Sequence, residues 1–315
     1  GWCTALLILD DIRPGDVLDF CYTVEEHPKL LPNNYASFFR LSSEFSVGKF
    51  DFSLQFRESR PMNWKSSSDD LKPSESWRDG NVHWNWMAEN RLREQPEENT
   101  PEWHIADPWI QVSDCLNWET VGTAVLQAWS NDADGVAVGK IAKEIAAQET
   151  NILLQIGKAI QLVQDEYRYL SVNLEFGGQV PTAPDIVARR RFGDCKDLSF
   201  LLVHILKQLG VFARPVLVNT QLRKTIGNML PMAGLFNHVV VEFQVQGETR
   251  WVDPTMKYQG GSALERFIPD YGFGLPIDVA SSELVEPPRS SAQAGLYELR
   301  ESVLLDTSGA SSLIG

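Results

Sequence analysis

The sequence predicts an α+β protein in two unlike parts. An N-terminal all-β, sandwich-like domain precedes a core in which a central helix packs on an antiparallel sheet. Three observations carry that expectation. Up to about residue 58 apolar side chains recur at period two. From Trp118 they recur at helical spacing. Between Arg190 and Thr255 one amphipathic helix runs into strand-like segments.

The extended part comes first. Ala5 to Leu9 is an apolar run, Arg13-Pro14-Gly15-Asp16 reads as a turn, and Val17 to Val24 alternates through aromatic and β-branched residues. Residues 5 to 24 therefore read as extended. Segments 36–41 and 45–58 read the same way. In the second, Phe50, Phe52, Leu54 and Phe56 lie two apart, which puts four apolar side chains on one face of a strand. Residues 60–118 are polar, yet they hold Trp64, Trp77, Trp84, Trp86, Trp103, Trp109 and Trp118, seven of the ten tryptophans. Such rings form either an aromatic platform for sugars or peptides, or the core of a short-stranded β domain with long loops.

The helical part follows. Val121, Val125 and Trp129 share one face, and Asn131 to Gly135 reads as a loop. Ile141, Ile145, Ile152, Ile156, Ile160, Val163 and Tyr167 then recur at helical intervals, with a slip between Ile145 and Ile152. The expected units are 1–120 (β-rich domain), 121–285 (core) and 286–315 (a linker opened by Pro287-Pro288, then the start of a further β segment). The chain opens at Gly1 and runs straight into an apolar stretch. It reads as a piece of a longer polypeptide with further domains on both sides.

Composition narrows the function classes. Of 315 residues 43% are hydrophobic and 22% charged, ordinary globular usage. The net charge of −14 repels phosphate backbones, so nucleic acid and anionic membranes are not expected partners. No apolar run approaches the roughly 20 residues of a membrane-spanning helix. The cysteines are Cys3, Cys21, Cys115 and Cys195. They are too few for a disulfide scaffold and form no CxxC pair. Cys3 and Cys21 are a candidate pair across adjacent strands.

The residues that carry chemistry lie between Arg190 and Thr255. Leu198, Leu201, Leu202, Ile205, Leu206 and Leu209 share one helical face, with Asp194 as N-cap and Gly210 just past the end. Cys195 then falls in the first turn. The partial positive charge and free N–H groups there favour an anionic sulfur and can hold an oxyanion. Asp194 and Asp197 oppose the first effect, so a nearby imidazolium is required. Phe236 to Phe243 reads as a strand with Val239, Val241 and Phe243 on one face and His238 on the other. A turn at Gln246-Gly247-Glu248 returns the chain through Trp251-Val252-Asp253, which brings Asp253 beside His238. Cysteine at a helix start, histidine on one strand and aspartate on the next is the layout of a nucleophile, base and orienting acid. The loop from Gln221 to Leu235 is either a gate over the cleft or an ordinary surface loop.

Three motifs in this order resemble the transglutaminase-like superfamily, whose core is papain-like. They are Arg191-Phe192-Gly193-Asp194-Cys195-Lys196-Asp197, Phe236-Asn237-His238-Val239-Val240-Val241, and Trp251-Val252-Asp253-Pro254-Thr255. The resemblance implies Cys195 as nucleophile, His238 as base and Asp253 as orienting acid. Val163 to Tyr169 looks like the helix that precedes the cysteine motif in bacterial members. Asp11 to Phe20 and the train Glu97, Pro101, Pro108, Trp118 resemble the β-rich domain of unknown function that often precedes such cores. Many relatives carry an aromatic after a double glycine. Here the run is Gly177-Gly178-Gln179, and Gln179 is a candidate oxyanion donor beside the Cys195 backbone N–H.

The implied activity is thiol-based acyl chemistry on peptide or carboxamide bonds, through a thioester, with hydrolysis favoured over amine transfer. The implied substrate is a protein or peptide, with no cofactor and no metal, in an extracytoplasmic setting. Two other readings stand beside it. One is a retired core that serves, with the tryptophan-rich domain, as a peptide- or glycan-binding module. The other is a zinc site built from Cys195, His238 and Asp253.

Overall fold

The computed structural model describes residues 8–25, 30–41, 47–91, 97–130, 135–170, 180–280, 283–288, 301–305 and 311–314. Six strands come first: β1 (Ala36–Arg40), β2 (Val47–Arg57), β3 (Asn63–Ser66), β4 (Ser74–Arg78), β5 (Asn81–Arg91) and β6 (Trp109–Ser113). They form two antiparallel sheets, ordered β1-β6-β3 and β2-β5-β4. Between β4 and β5 the turn is Asp79-Gly80, both at positive φ, the two-residue geometry that matches strand twist.

Alternation along β2 decides how the sheets stack. Phe50, Phe52, Leu54 and Phe56 turn inward while Lys49, Asp51, Ser53 and Gln55 face solvent. The inward row meets Trp84 and Trp86 of β5 and Ile110 and Val112 of β6, so the two sheets share one core. Phe39 of β1 touches Phe52 across the sheets with ring centroids 4.3 Å apart. Trp84, Trp86 and Trp109 are buried and Trp64 and Trp118 half-buried, which leaves Trp77 and Trp103 exposed. Most of the tryptophan cluster is therefore core.

The expected strands in 5–24 are not seen. Residues 5–7 lie outside the described residues, and 8–25 hold the predicted Arg13–Asp16 turn but no ladder. Val17, Phe20 and Tyr22 are exposed. Alternation supplies a face, but a strand also needs a neighbour for its backbone groups, and none pairs with this segment among the described residues.

The helical part runs α1 (Trp118–Ala128), α2 (Val136–Gln148), α3 (Ile152–Glu166), β7 (Arg168–Tyr169), α4 (Pro184–Arg190), β8 (Phe192–Gly193) and α5 (Cys195–Gln208). The slip between Ile145 and Ile152 is the break between α2 and α3. A four-stranded antiparallel sheet follows, of β9 (Phe212–Val218), β10 (His238–Val245), β11 (Glu248–Val252) and β12 (Gly274–Pro276), in the order β11-β10-β9-β12. The tail forms a hairpin of β13 (Ser302–Leu305) and β14 (Ser311–Ile314).

Helix α5 is the central element. Leu198, Leu201, Leu202, Ile205 and Leu206 are fully buried between the sheet residues Val241 and Phe243 and the helix residues Ile156, Ile160 and Val163. Each such side chain stabilises the fold by about 1.5–3 kcal/mol through burial. The helix ends at Gly210, where φ is +77°. There the Gly210 and Val211 N–H groups close on the Lys207 and Leu206 carbonyls. That paired closure is the Schellman motif, and the left-handed residue favours glycine.

Candidate active site

Cys195 is the first residue of α5, and local sequence puts it there. The Asp194 side chain accepts from the Asp197 N–H at 3.2 Å, and the Asp197 side chain accepts from the Asp194 N–H at 3.4 Å. This reciprocal capping box fixes the helix start. Gly193 is required because a Cβ there would lie 2.6 Å from the Asp197 Cβ. The motif is also tied to α3's end: the Arg168 N–H bonds the Arg191 carbonyl and the Leu170 N–H bonds the Gly193 carbonyl, each at 2.9 Å.

The two acids beside the cysteine each meet a cation. Lys196 pairs with Asp194, and Arg190 with Asp197 at 2.5 Å. Each carboxylate beside the cysteine is thus paired with a cation. At N1 of the helix the Cys195 N–H has no intrahelical partner, which leaves it available to an anion.

His238 opens β10. Gln246 and Gly247, both at positive φ, form a two-residue turn, and the ladder opposes Val241 to Val252. Asp253 follows the last strand residue. His238 Nε2 lies 2.8 Å from Asp253 Oδ2, which leaves Nδ1 for Cys195. The Cys195 side chain lies beside the ring, on the same cleft, and acts on it. Burial pulls the imidazole down, but the Asp253 and Cys195 contacts outweigh it and push its pKa up to about 10. Asp253 goes the other way. Burial raises it, and the His238, Tyr271 and Thr255 contacts bring it below its ordinary value.

Three supports were not visible in the sequence. Tyr271 donates its hydroxyl to Asp253 Oδ2 at 2.6 Å, while the Thr255 N–H and hydroxyl occupy Oδ1 at 2.8 and 2.7 Å. Behind them the buried Gln164 of α3 donates to the Asp253 carbonyl at 2.9 Å, and Arg266 donates to Gln164 at 2.8 Å. The third support is the β9–β10 loop, which packs against the β-rich part. Its Ile226, Met229 and Leu235 are buried against Trp109 of β6. Gln111 of β6 donates to the Leu230 carbonyl at 2.9 Å and accepts from the Leu230 N–H at 2.8 Å. Ser113 bonds the Pro231 carbonyl at 2.6 Å. The same loop presses on Gly272, where φ is +72° and a Cβ would lie 2.2 Å from the Lys224 nitrogen. Only glycine fits there, and Tyr271 is the residue before it.

Cys195 and His238 open onto a cleft of about 350 Å³ whose lining includes Val125, Trp129, Leu217, Phe236 and Val239. Gln179, Gly177, Gly178 and Cys3 lie outside the described residues, so neither the second oxyanion donor nor the Cys3–Cys21 pair has a place here. Among the described residues no group of three or more His, Cys, Asp and Glu side chains is placed to hold a metal ion. No described helix is long and apolar enough to cross a membrane.

Residues 139–254 match the model of the transglutaminase-like superfamily, and residues 3–91 match that of DUF3857, a domain of unknown function with solved structures. The core thus matches the transglutaminase-like superfamily, and the segment before it matches DUF3857. No curated protein matches. Among solved structures the chain resembles a candidate protease from Parabacteroides distasonis, with 15% identity and a TM-score of 0.64 over 81% of this chain. The chain spans about half of that structure, 48% of its length. Fainter likenesses reach a candidate cysteine protease from Cytophaga hutchinsonii (13% identity, TM-score 0.35, 80% of each chain) and the periplasmic domain of TgpA from Pseudomonas aeruginosa (15%, 0.30, 67% of this chain and 72% of that one). At 15% identity the likeness to the Parabacteroides distasonis structure is one of fold.

Proposed function

We propose that the chain is a cysteine-dependent acyl-transfer enzyme acting on peptide or carboxamide bonds, with water as the favoured acceptor. The observation that carries this reading is the contact chain from Cys195 at the head of α5, through the His238 ring, to Asp253 Oδ2 at 2.8 Å from Nε2. Cys195 Sγ gives its proton to His238 Nδ1 and attacks the carbonyl carbon. The carbonyl π pair moves to oxygen, where the Cys195 N–H and the α5 dipole receive it. His238 then protonates the leaving nitrogen as the C–N bond breaks, and a thioester remains. A water gives His238 a proton, attacks the thioester, and releases the acid and the thiol. Asp253 stays ionised throughout and holds the ring by its Nε2–H. Gln179 is kept as a second oxyanion donor, 1–120 and 121–285 as separate units, and an extracytoplasmic setting as part of the same reading. These rest on the sequence motifs.

The test is the pH-dependence of Cys195 alkylation by iodoacetamide, followed by peptide mapping, beside a His238→Ala variant. Labelling that persists down to about pH 5–6 and is lost in the variant supports a thiolate–imidazolium pair. A rate that follows an ordinary thiol near ~8.5 sinks the reading and leaves the retired core.

A further inference from the structure

The cleft beside Cys195 is lined partly by Tyr169, Asp194, Lys196 and Asn237 and partly by apolar side chains that belong to one cluster. Its floor is the cross-strand pair Leu217 and Val239, on the helix-facing side of the sheet. Val125 and the cap residue Trp129 of α1 form one wall, and Leu30 and Phe236 complete the apolar lining. Phe236 is itself held edge-on by Trp118, with ring centroids 5.6 Å apart. Among the described residues, the charged and amide side chains that reach the cleft are already engaged. Asp194 and Lys196 bond each other, and Asp194 also caps α5. Asn237 accepts from the Thr220 N–H at 2.9 Å and donates to the Thr220 hydroxyl at 3.1 Å.

We infer that this cleft is an acyl-side subsite for a large apolar side chain, of the leucine or phenylalanine class, within one residue of the attacked carbonyl. The inference rests on the proposed acyl-transfer function. It follows from what the cleft offers a substrate. Apolar surface removed from water is stabilising wherever it lies. A carboxamide, carboxylate or ammonium entering here would leave water and find side chains already bonded to one another. Continuity fixes the occupant, because the lining begins at Cys195 and His238 themselves. A substrate bound with its carbonyl at Sγ therefore has its flanking side chain in this space. The volume of about 350 Å³ accommodates a phenylalanine ring.

The experiment uses the 315-residue chain and matched peptidyl vinyl sulfones. The two residues next to the warhead are Gly-Gly, Phe-Gly, Gly-Phe, Asp-Gly or Gln-Gly, and Cys195 labelling is read by mass. Iodoacetamide, which needs no subsite, runs beside them with and without His238→Ala. The expected result is at least tenfold faster labelling by one phenylalanine probe than by Gly-Gly, with no gain for Asp or Gln. Ala233 also lines the cleft, so an Ala233→Phe variant, which narrows it, should bring that ratio toward one. Probe rates within about twofold of each other, together with His238-dependent iodoacetamide labelling, would overturn the subsite and leave the acyl-transfer reading intact. Iodoacetamide labelling that ignores His238 would remove the acyl-transfer reading and the subsite with it.

Discussion

Tyr271 and His238 meet on the same oxygen of Asp253, at 2.6 and 2.8 Å, with the two rings tilted 54° to each other. The tyrosine thus fixes the carboxylate that fixes the imidazole. Its own hydroxyl is held in the neutral form by burial and by the carboxylate it serves. Tyr271→Phe removes one hydrogen bond to a buried charge and should cost about 1.5–3 kcal/mol in urea unfolding. Stability alone does not test a positioning role. With one donor fewer on Asp253 the imidazolium is less supported, so the acid half-point of Cys195 labelling should move to higher pH. An unmoved half-point in a destabilised variant would make Tyr271 a packing residue only.

Gln111 makes a two-point contact with Leu230 from the other part of the chain, much as a neighbouring strand would. Gln111→Ala leaves the Leu230 N–H and carbonyl unpaired in a half-buried setting. The expected loss is roughly 1–3 kcal/mol. The braced loop also supplies Phe236 and leads directly into His238, so Cys195 labelling near pH 6 should slow several-fold. Unchanged labelling would mean that the β-rich part supports the core without tuning it.

The titration of the pair sets a stability window. Asp253 is held low in the fold, so its contribution is present above its unfolded value of ~3.9 and is lost as pH falls through the folded value. His238 is raised to about 10, so its contribution is complete below ~6.5 and is lost as pH rises toward 10. Thermal melting of the native chain should therefore fall on both sides of a plateau. In His238→Ala the alkaline slope should flatten. If the two chains share one alkaline slope, the raised histidine is wrong.

Much of this site was legible because its pieces are local. Asp194, Cys195 and the leucine stripe announce a capped helix, and the turn at Gln246-Gly247 fixes how β10 and β11 pair. Phe50 to Phe56 announced its strand for the same reason: one face, one period. What stayed hidden depends on contacts far apart in sequence. Tyr271 reaches Asp253 only because Gly272 lets the Arg223–Lys224 backbone approach, and Gln164 reaches the Asp253 carbonyl from α3. Neither has a periodic signature. The segment 8–25 failed in the opposite sense, since its alternation is a property of the chain and its pairing is not.

Asp194 carries two duties that a pair of substitutions can separate. Its Oδ1 caps α5, and its Oδ2 pairs with Lys196. Asp194→Asn keeps a capping oxygen but drops the charge, whereas Asp194→Ala drops both. Loss of the cap alone costs about 0.5–2 kcal/mol, so the alanine variant should be the less stable by that margin. Reactivity should move against stability. Removing the carboxylate frees the Lys196 ammonium beside Cys195 and takes away a neighbouring negative charge, which favours an anionic sulfur. Iodoacetamide labelling of Asp194→Asn near pH 5 should therefore be faster than that of the native chain, although the protein unfolds more easily. Slower labelling in Asp194→Asn would mean that the carboxylate orients Cys195 through the helix start, and that its charge matters less than its geometry.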